Sequence, residues 1–138
     1  HRFQQVEWHR EFHVYNFVPN LATLMRAADC VLGKAGGLIV SESLACGLPL
    51  ILINVIPGQE TGNAEYVTQD EAGDLARDPI EVLETMCHWL DHAAGLYKIR
   101  SQNARRLGQP QAAEEIAKLV WAVTTGIIKQ NSQTSEKT

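Results

Sequence analysis

Cysteine is scarce in this chain and badly spaced for cross-linking. Three cysteines occur in 138 residues, at Cys30, Cys46 and Cys87, with no C-x-x-C pair, which speaks against a zinc ribbon or a disulfide scaffold. Cys30 and Cys46 lie in apolar runs and are expected to be reduced core residues of a cytosolic protein. Basic charge is also short. Lysine and arginine number 12 against 16 aspartates and glutamates, a net charge of −4. The chain therefore lacks the basic field of a general nucleic-acid binder, and no nucleic-acid partner is expected. No apolar run is long enough to span a membrane. Neither G-x-x-x-x-G-K-[ST] nor G-x-G-x-x-G occurs, so a P-loop and a dinucleotide fingerprint are unsupported. No metal-ligand cluster is evident. His9 and His13 stand four apart and read as surface residues rather than a ligand pair. None of these absences excludes a small, local anion site.

What is present describes a folded domain. Apolar residues make up 45% and charged residues 20%, a balance that argues against intrinsic disorder. A chain of this length suits one domain that buries roughly two thirds of its unfolded surface. Residues 1–129 are read as that domain and the polar 130–138 as a disordered tail. The chain opens at His1, without a methionine, in polar helical text (HRFQQVEWHREF). The expectation is a fragment of a longer protein.

Residues 13–18, HVYNFV, are rich in β-branched and aromatic side chains and predict a strand ended by Pro19. Asn20 then predicts an N-cap, with a helix to about Ala28. Leu21, Leu24, Met25 and Ala28 give that helix one apolar face. CVLG at 30–33 predicts a short buried strand, followed by the turn Lys34-Ala35-Gly36-Gly37. A helix through LIVSESLAC ends at Gly47, a residue suited to a helix stop. Pro49 restarts the chain, and LILINVI predicts another buried strand. After the Pro57-Gly58 turn a helix is expected over 59–70, then a short AGDLA strand. Such alternation predicts βαβ units and a parallel sheet covered by helices. The remainder predicts three helices, from Asp78-Pro79 to about 94, over 96–107 and over 111–125.

The most informative segment is 33–47, GKAGGLIVSESLACG. A strand ends, glycines turn the chain and a helix begins. The first amides of that helix lack intrahelical partners, and the helix dipole adds partial positive charge. Glycine lets a ligand approach the backbone closely. Together these suit a phosphate at the carboxyl end of a parallel strand; a tight strand-to-helix turn is the alternative. Glu42, further along the helix, can accept hydrogen bonds from a ribose diol beside such a phosphate. It can equally be a solvated surface glutamate. Gln59, Glu60 and Asn63 follow the next strand, at the same sheet edge, and their mixed donors and acceptors suit sugar hydroxyls. Helix capping is the alternative there. Phe17 can stack on a base while the backbone of Val18 reads its edge, or Phe17 can be a core residue.

The run NFVPNLATLMRAADCVLGKAGGLIVSESLACGLPLILINVIPGQETGNAEYV resembles the C-terminal lobe of two-lobed GT-B glycosyltransferases. It is most similar to the monogalactosyldiacylglycerol synthases and the processive diacylglycerol glucosyltransferases. More distantly, it resembles the N-acetylglucosaminyltransferase that makes lipid II. The specific part is an ordered set: the FV strand end, the KAGG turn, SE on the helix, GLP, and IPGQE followed by GN. The resemblance covers about residues 13–67. It implies a Rossmann-like α/β lobe that binds a UDP-sugar, UDP-galactose or UDP-glucose. The family's N-terminal lobe binds the lipid acceptor and supplies the base.

By the same resemblance, Phe17 and Val18 match the uracil position. Gly36, Gly37 and Leu38 match the pyrophosphate turn, and Glu42 the ribose ligand. Gln59, Glu60 and nearby Asn63 match the hexose contacts. Ile39 stands where relatives usually carry threonine or serine, which removes one hydroxyl from the phosphate contact. The reaction implied is hexosyl transfer to a diacylglycerol-type lipid without a bound metal or other cofactor. The fragment alone is expected to bind donor without turnover. The whole enzyme is expected in the cytoplasm, with peripheral contact at the inner membrane face. A lipid II-type N-acetylglucosaminyltransferase lobe, a UDP-sugar 2-epimerase lobe and a non-catalytic nucleotide-sugar-binding module are the competing expectations.

Overall fold

The computed structural model describes residues 12–91, 93 and 95–126. The apolar run after Pro49 forms the centre of its sheet. There β2 (Leu50–Leu52) is fully buried and lies between β1 (Val31–Gly33) and β3 (Gly73–Leu75). Both pairings are parallel, with Leu32 opposite Ile51 and Ile51 opposite Asp74. Side chains alternate across a strand, so β2 feeds two cores. Leu50 and Leu52 join Val40, Leu44, Ala64, Val67 and Ala104 on one face. Ile51 meets Ala76 and Trp89 on the other, with Val82, Leu96 and Tyr97 packed alongside. Burial on both faces is why this strand reads as a continuous apolar run.

Helices link the strands as the alternation predicts. Between β1 and β2 runs α2 (Gly37–Ala45), and between β2 and β3 runs α3 (Thr61–Gln69). Upstream, α1 (Leu21–Ala27) buries Met25. Downstream come α4 (Pro79–Leu90), α5 (Leu96–Leu107) and α6 (Ala112–Thr124). The sheet and flanking helices make a Rossmann-like α/β lobe, the expected class.

Local signals explain several helix ends. Gly47 takes φ +73°, its amide donates to Leu44 and the Leu48 amide to Ser43. This is the paired hydrogen-bond stop that a left-handed glycine allows. At the end of α3 Glu71 plays the same part with φ +53°, its own amide donating to Thr68 and the Ala72 amide to Val67. A non-glycine residue is strained there. Its carbonyl is held by Arg100 at 3.3 Å and Asn103 at 3.2 Å from α5. Asp78 caps α4, accepting from the amides of Ile80 at 2.8 Å and Glu81 at 2.9 Å.

Four expectations are corrected. Residues 30–33 supply a strand, β1, but not a buried one: Leu32 is 50% exposed and Val31 and Gly33 are half-buried. Residues 13–18 form no strand: Val14 is 70%, Tyr15 59% and Phe17 84% exposed. Strand propensity measures fit to a pleated, half-buried surface, and among the described residues no neighbouring strand offers one. Next, α4 stops at Leu90 rather than about 94. The Asp91 carboxylate accepts from the Ala93 amide at 3.0 Å, a local bond that competes with the helix. Lastly, Cys30 and Cys46 are half-buried rather than core, and Cys87 is exposed. Burial, and then the charge of Asp29, pushes the Cys30 thiol above its ordinary pKa. Residues 130–138 and His9 lie outside the described residues.

Candidate functional site

The carboxyl ends of β1 and β2 open onto two loops that carry most of the expected site. After β1 the chain passes Lys34, Ala35 and Gly36 and enters α2 at Gly37. Gly36 is the N-cap, with φ −67° and ψ 142°, and no side chain caps the helix. The amides of the first turn therefore point outward without intrahelical partners. Neither glycine is demanded by backbone shape, since neither has a positive φ. A Cβ at Gly36 would meet nothing nearer than Ile39 Cγ2 at 3.8 Å, and one at Gly37 nothing nearer than Asn63 Nδ2 at 3.8 Å. Leu38, the next residue, is 80% exposed, and the side chain of Ile39 packs onto the core.

The second loop follows β2. Asn54 turns the chain with φ 48°, and Gly58 adopts φ 80° after Pro57. That geometry suits the second central residue of a type II turn. Glu60 is 8% exposed and closes the loop on itself. Its Oε2 accepts from the Ile56 amide at 2.9 Å, while its own amide donates to the Ile56 carbonyl, also at 2.9 Å. Gln59 stands exposed at the tip. Asn63, in the first turn of α3, reaches back 28 residues: its Nδ2 donates to the Ala35 carbonyl at 2.8 Å. This bond fixes the glycine turn against α3.

A separate cavity of about 600 Å³ lies along α2 beyond that turn. Val18 and Glu42 both line it, so residues 24 positions apart share one wall-to-wall space. Arg26 and Cys46 line it as well. Phe17 is not among its lining residues, but is strongly exposed beside Val18 rather than a core phenylalanine. The structure thus groups Gly36, Gly37, Leu38 and Asn63 at one place, and Val18 with Glu42 at another. Gln59 and Glu60 occupy the adjoining loop.

Sequence reasoning missed Arg26, which carries no motif, and the partners of Arg100. On α5 Arg105 and Arg106 are exposed and Arg100 is half-buried. Arg100 makes a two-pronged pair with Asp74, Nε to Oδ2 and Nη2 to Oδ1, both at 2.9 Å. Trp89 Nε1 donates to the same carboxylate at 2.6 Å. Arg106 pairs with Asp70 at 2.8 Å. These arginines bind the fold rather than a ligand. Among the described residues no group of three or more histidine, cysteine or acidic side chains is placed to hold a metal ion. No helix among them is long and apolar enough to cross a membrane.

A parallel α/β lobe with a glycine-flanked helix start at its carboxyl edge defines a class that binds phosphorylated ligands in many settings. Comparison narrows it. Residues 1–119 match the model of the glycosyltransferase family 28 C-terminal domain, and the chain belongs to that family. Monogalactosyldiacylglycerol synthase 3, chloroplastic, of Arabidopsis thaliana is 39% identical over 81% of this chain and 24% of its own length. Monogalactosyldiacylglycerol synthase 1, chloroplastic, of the same plant is 33% identical over 95% of this chain and 24% of its own length. The chloroplastic monogalactosyldiacylglycerol synthase of Spinacia oleracea is 34% identical over 83% of this chain and 22% of its own length. The chain spans about a quarter of the length of these curated relatives.

Proposed function

We propose that this chain is the donor-binding lobe of a glycosyltransferase that moves a hexose, galactose or glucose, from a UDP-sugar to a diacylglycerol-type lipid. The observation that carries the reading is the start of α2. Its uncapped amides face the carboxyl edge of a parallel sheet, flanked by two glycines that backbone conformation does not require. An anion can approach such amides without meeting a side chain. The relatives' names, which join a galactosyl group to diacylglycerol, support both the hexose and the lipid.

In this reading the pyrophosphate sits on the amides of Gly36, Gly37 and Leu38. Glu42 accepts hydrogen bonds from the ribose hydroxyls, as an unpaired carboxylate on the next stretch of α2 can. Phe17 stacks on the uracil, whose edge meets the backbone of Val18. Gln59, the free oxygen of Glu60 and the amide oxygen of Asn63 face the hexose. During transfer the glycosidic bond to the β-phosphate breaks and negative charge grows on the departing UDP. Amides and a helix dipole already aimed at that charge stabilise it without reorganising. No resident metal is needed for this. The acceptor and the general base belong to a second lobe, so the fragment binds donor but does not turn over.

Calorimetric titration with UDP tests the reading. Saturable binding to this chain is expected, with UDP-hexose and no lipid glycoside formed over hours. No heat of binding at millimolar UDP refutes it.

A further inference from the structure

Two unpaired charges of opposite sign line the cavity beside α2. Arg26 comes from the last turn of α1 and Glu42 from the middle of α2. Among the described residues neither side chain has a hydrogen-bond or ion-pair partner, and no ion pair joins the two. Charged groups that share a cavity without meeting one another suit an occupant that offers donors to one and acceptors to the other.

Position along α2 decides which part of the occupant faces Arg26. A helix rises about 1.5 Å per residue, so Glu42 stands about 7.5 Å, and Cys46 about 13.5 Å, beyond Gly37. The cavity is lined by Glu42, Ala45 and Cys46 along α2 and by Val18 and Pro110. With phosphates at Gly36 and Gly37 and a ribose at Glu42, the space beyond Glu42 is the space for a base. Arg26 lines the same cavity. A guanidinium is donor-only and cannot lose its proton. It rewards a carbonyl oxygen and rejects an amino group.

We propose that Arg26 selects the base of the bound nucleoside diphosphate, donating to a ring carbonyl that uracil presents and that cytosine replaces with an amine. This rests on the donor-binding role argued above. A donor aimed at a carbonyl discriminates against the amine because two donors then face each other with no acceptor between them.

Titration of the chain and of Arg26→Ala with UDP, CDP and inorganic pyrophosphate tests it. Arg26 is exposed, so the variant should melt with the parent chain. The parent should prefer UDP over CDP by about tenfold, a single hydrogen-bond difference. In Arg26→Ala the UDP affinity should fall to the level of CDP, while CDP and pyrophosphate affinities hold. Equal losses for UDP and CDP, together with weaker pyrophosphate binding, would assign Arg26 to the phosphates and overturn the proposal. An unchanged UDP-to-CDP ratio would overturn it too. In both cases the parent chain still binds UDP and the donor-binding role stands; absence of UDP binding to the parent chain removes that role and the base-selecting one together.

Discussion

Two sets of glycines in this lobe serve opposite purposes. A Cβ at Gly73 would collide with the Leu50 carbonyl oxygen and meet Val67 Cγ1 at 2.8 Å. One at Gly108 would collide with the Leu44 carbonyl oxygen. Those glycines let β3 lie against β2 and let the chain after α5 cross α2. Gly36 and Gly37 face no such neighbour, their nearest atoms being 3.8 Å away. The first set is required by what the fold packs inside, the second by nothing the fold contains. Charges divide the same way. Asp74 is saturated by Arg100 and Trp89, whereas Glu42 and Arg26 stand open on a cavity. Polar groups that satisfy one another hold the lobe together, and it is the shared cavity that sets Glu42 and Arg26 apart.

The largest effect that would sharpen this contrast is at Gly73. Gly73→Ala sets a methyl against the backbone of the central strand, which cannot yield as a flexible side chain would. It should cost at least about 3 kcal/mol, seen as a collapsed melting temperature or loss of the folded circular dichroism spectrum. A melting curve like that of the parent chain would show that β3 can shift away from β2. Next in size is Arg100→Leu. It leaves the Asp74 carboxylate with Trp89 alone and the Glu71 carbonyl with Asn103 alone. Asp74 is about a third exposed, so the loss falls short of a fully buried pair, at about 2 kcal/mol. Denaturant midpoints measure it, and UDP affinity at 25 °C should not move. A variant that kept its stability but lost UDP would reverse the roles assigned to the two regions.

The sequence disclosed the parts of this arrangement that are local. The apolar run after Pro49 marked the buried strand β2, because a strand covered on both faces has no polar alternation to hide it; the run at 30–33 marked β1 as a strand but not its exposure, since Leu32 is 50% exposed. Gly47 and Asp78-Pro79 marked a helix stop and a helix start through bonds made within a few residues. The glycine turn was visible for the same reason. What it hid was long-range. Asp74 and Arg100 are 26 residues apart and Ala35 and Asn63 are 28, and no local pattern announces such pairs. HVYNFV misled because its composition suits a sheet that the described residues do not extend to it. Arg26 was silent because a surface arginine on a short helix looks the same whether or not a cavity lies beside it.

Among the open groups, Glu42→Ala should have a smaller effect, confined to ligand. A carboxylate bridging two ribose hydroxyls contributes about 1.5–2 kcal/mol, roughly a tenfold to thirtyfold loss of UDP affinity. Pyrophosphate, which has no ribose, should bind as before. Equal losses for both ligands would move Glu42 from the ribose to the general field of the site. Thermal stability should hold, since the side chain is exposed and unpaired.

The smallest change in stability is expected at Gly37, and its sign matters more than its size. Glycine at a helical position costs conformational entropy that alanine does not, so Gly37→Ala should leave the melting temperature unchanged or raise it by a degree or two, a few tenths of a kcal/mol. Asn63 Nδ2 at 3.8 Å is ordinary contact and gives no reason for loss. The same methyl stands over the amides of the α2 start and should weaken both UDP and pyrophosphate. Stability up and binding down is a combination that a merely structural glycine does not produce, because losing a turn lowers both together. Were Gly37→Ala to melt early, the turn would need glycine for a reason internal to the fold. The division between the two glycine sets would then fail at the residue on which the phosphate reading most depends.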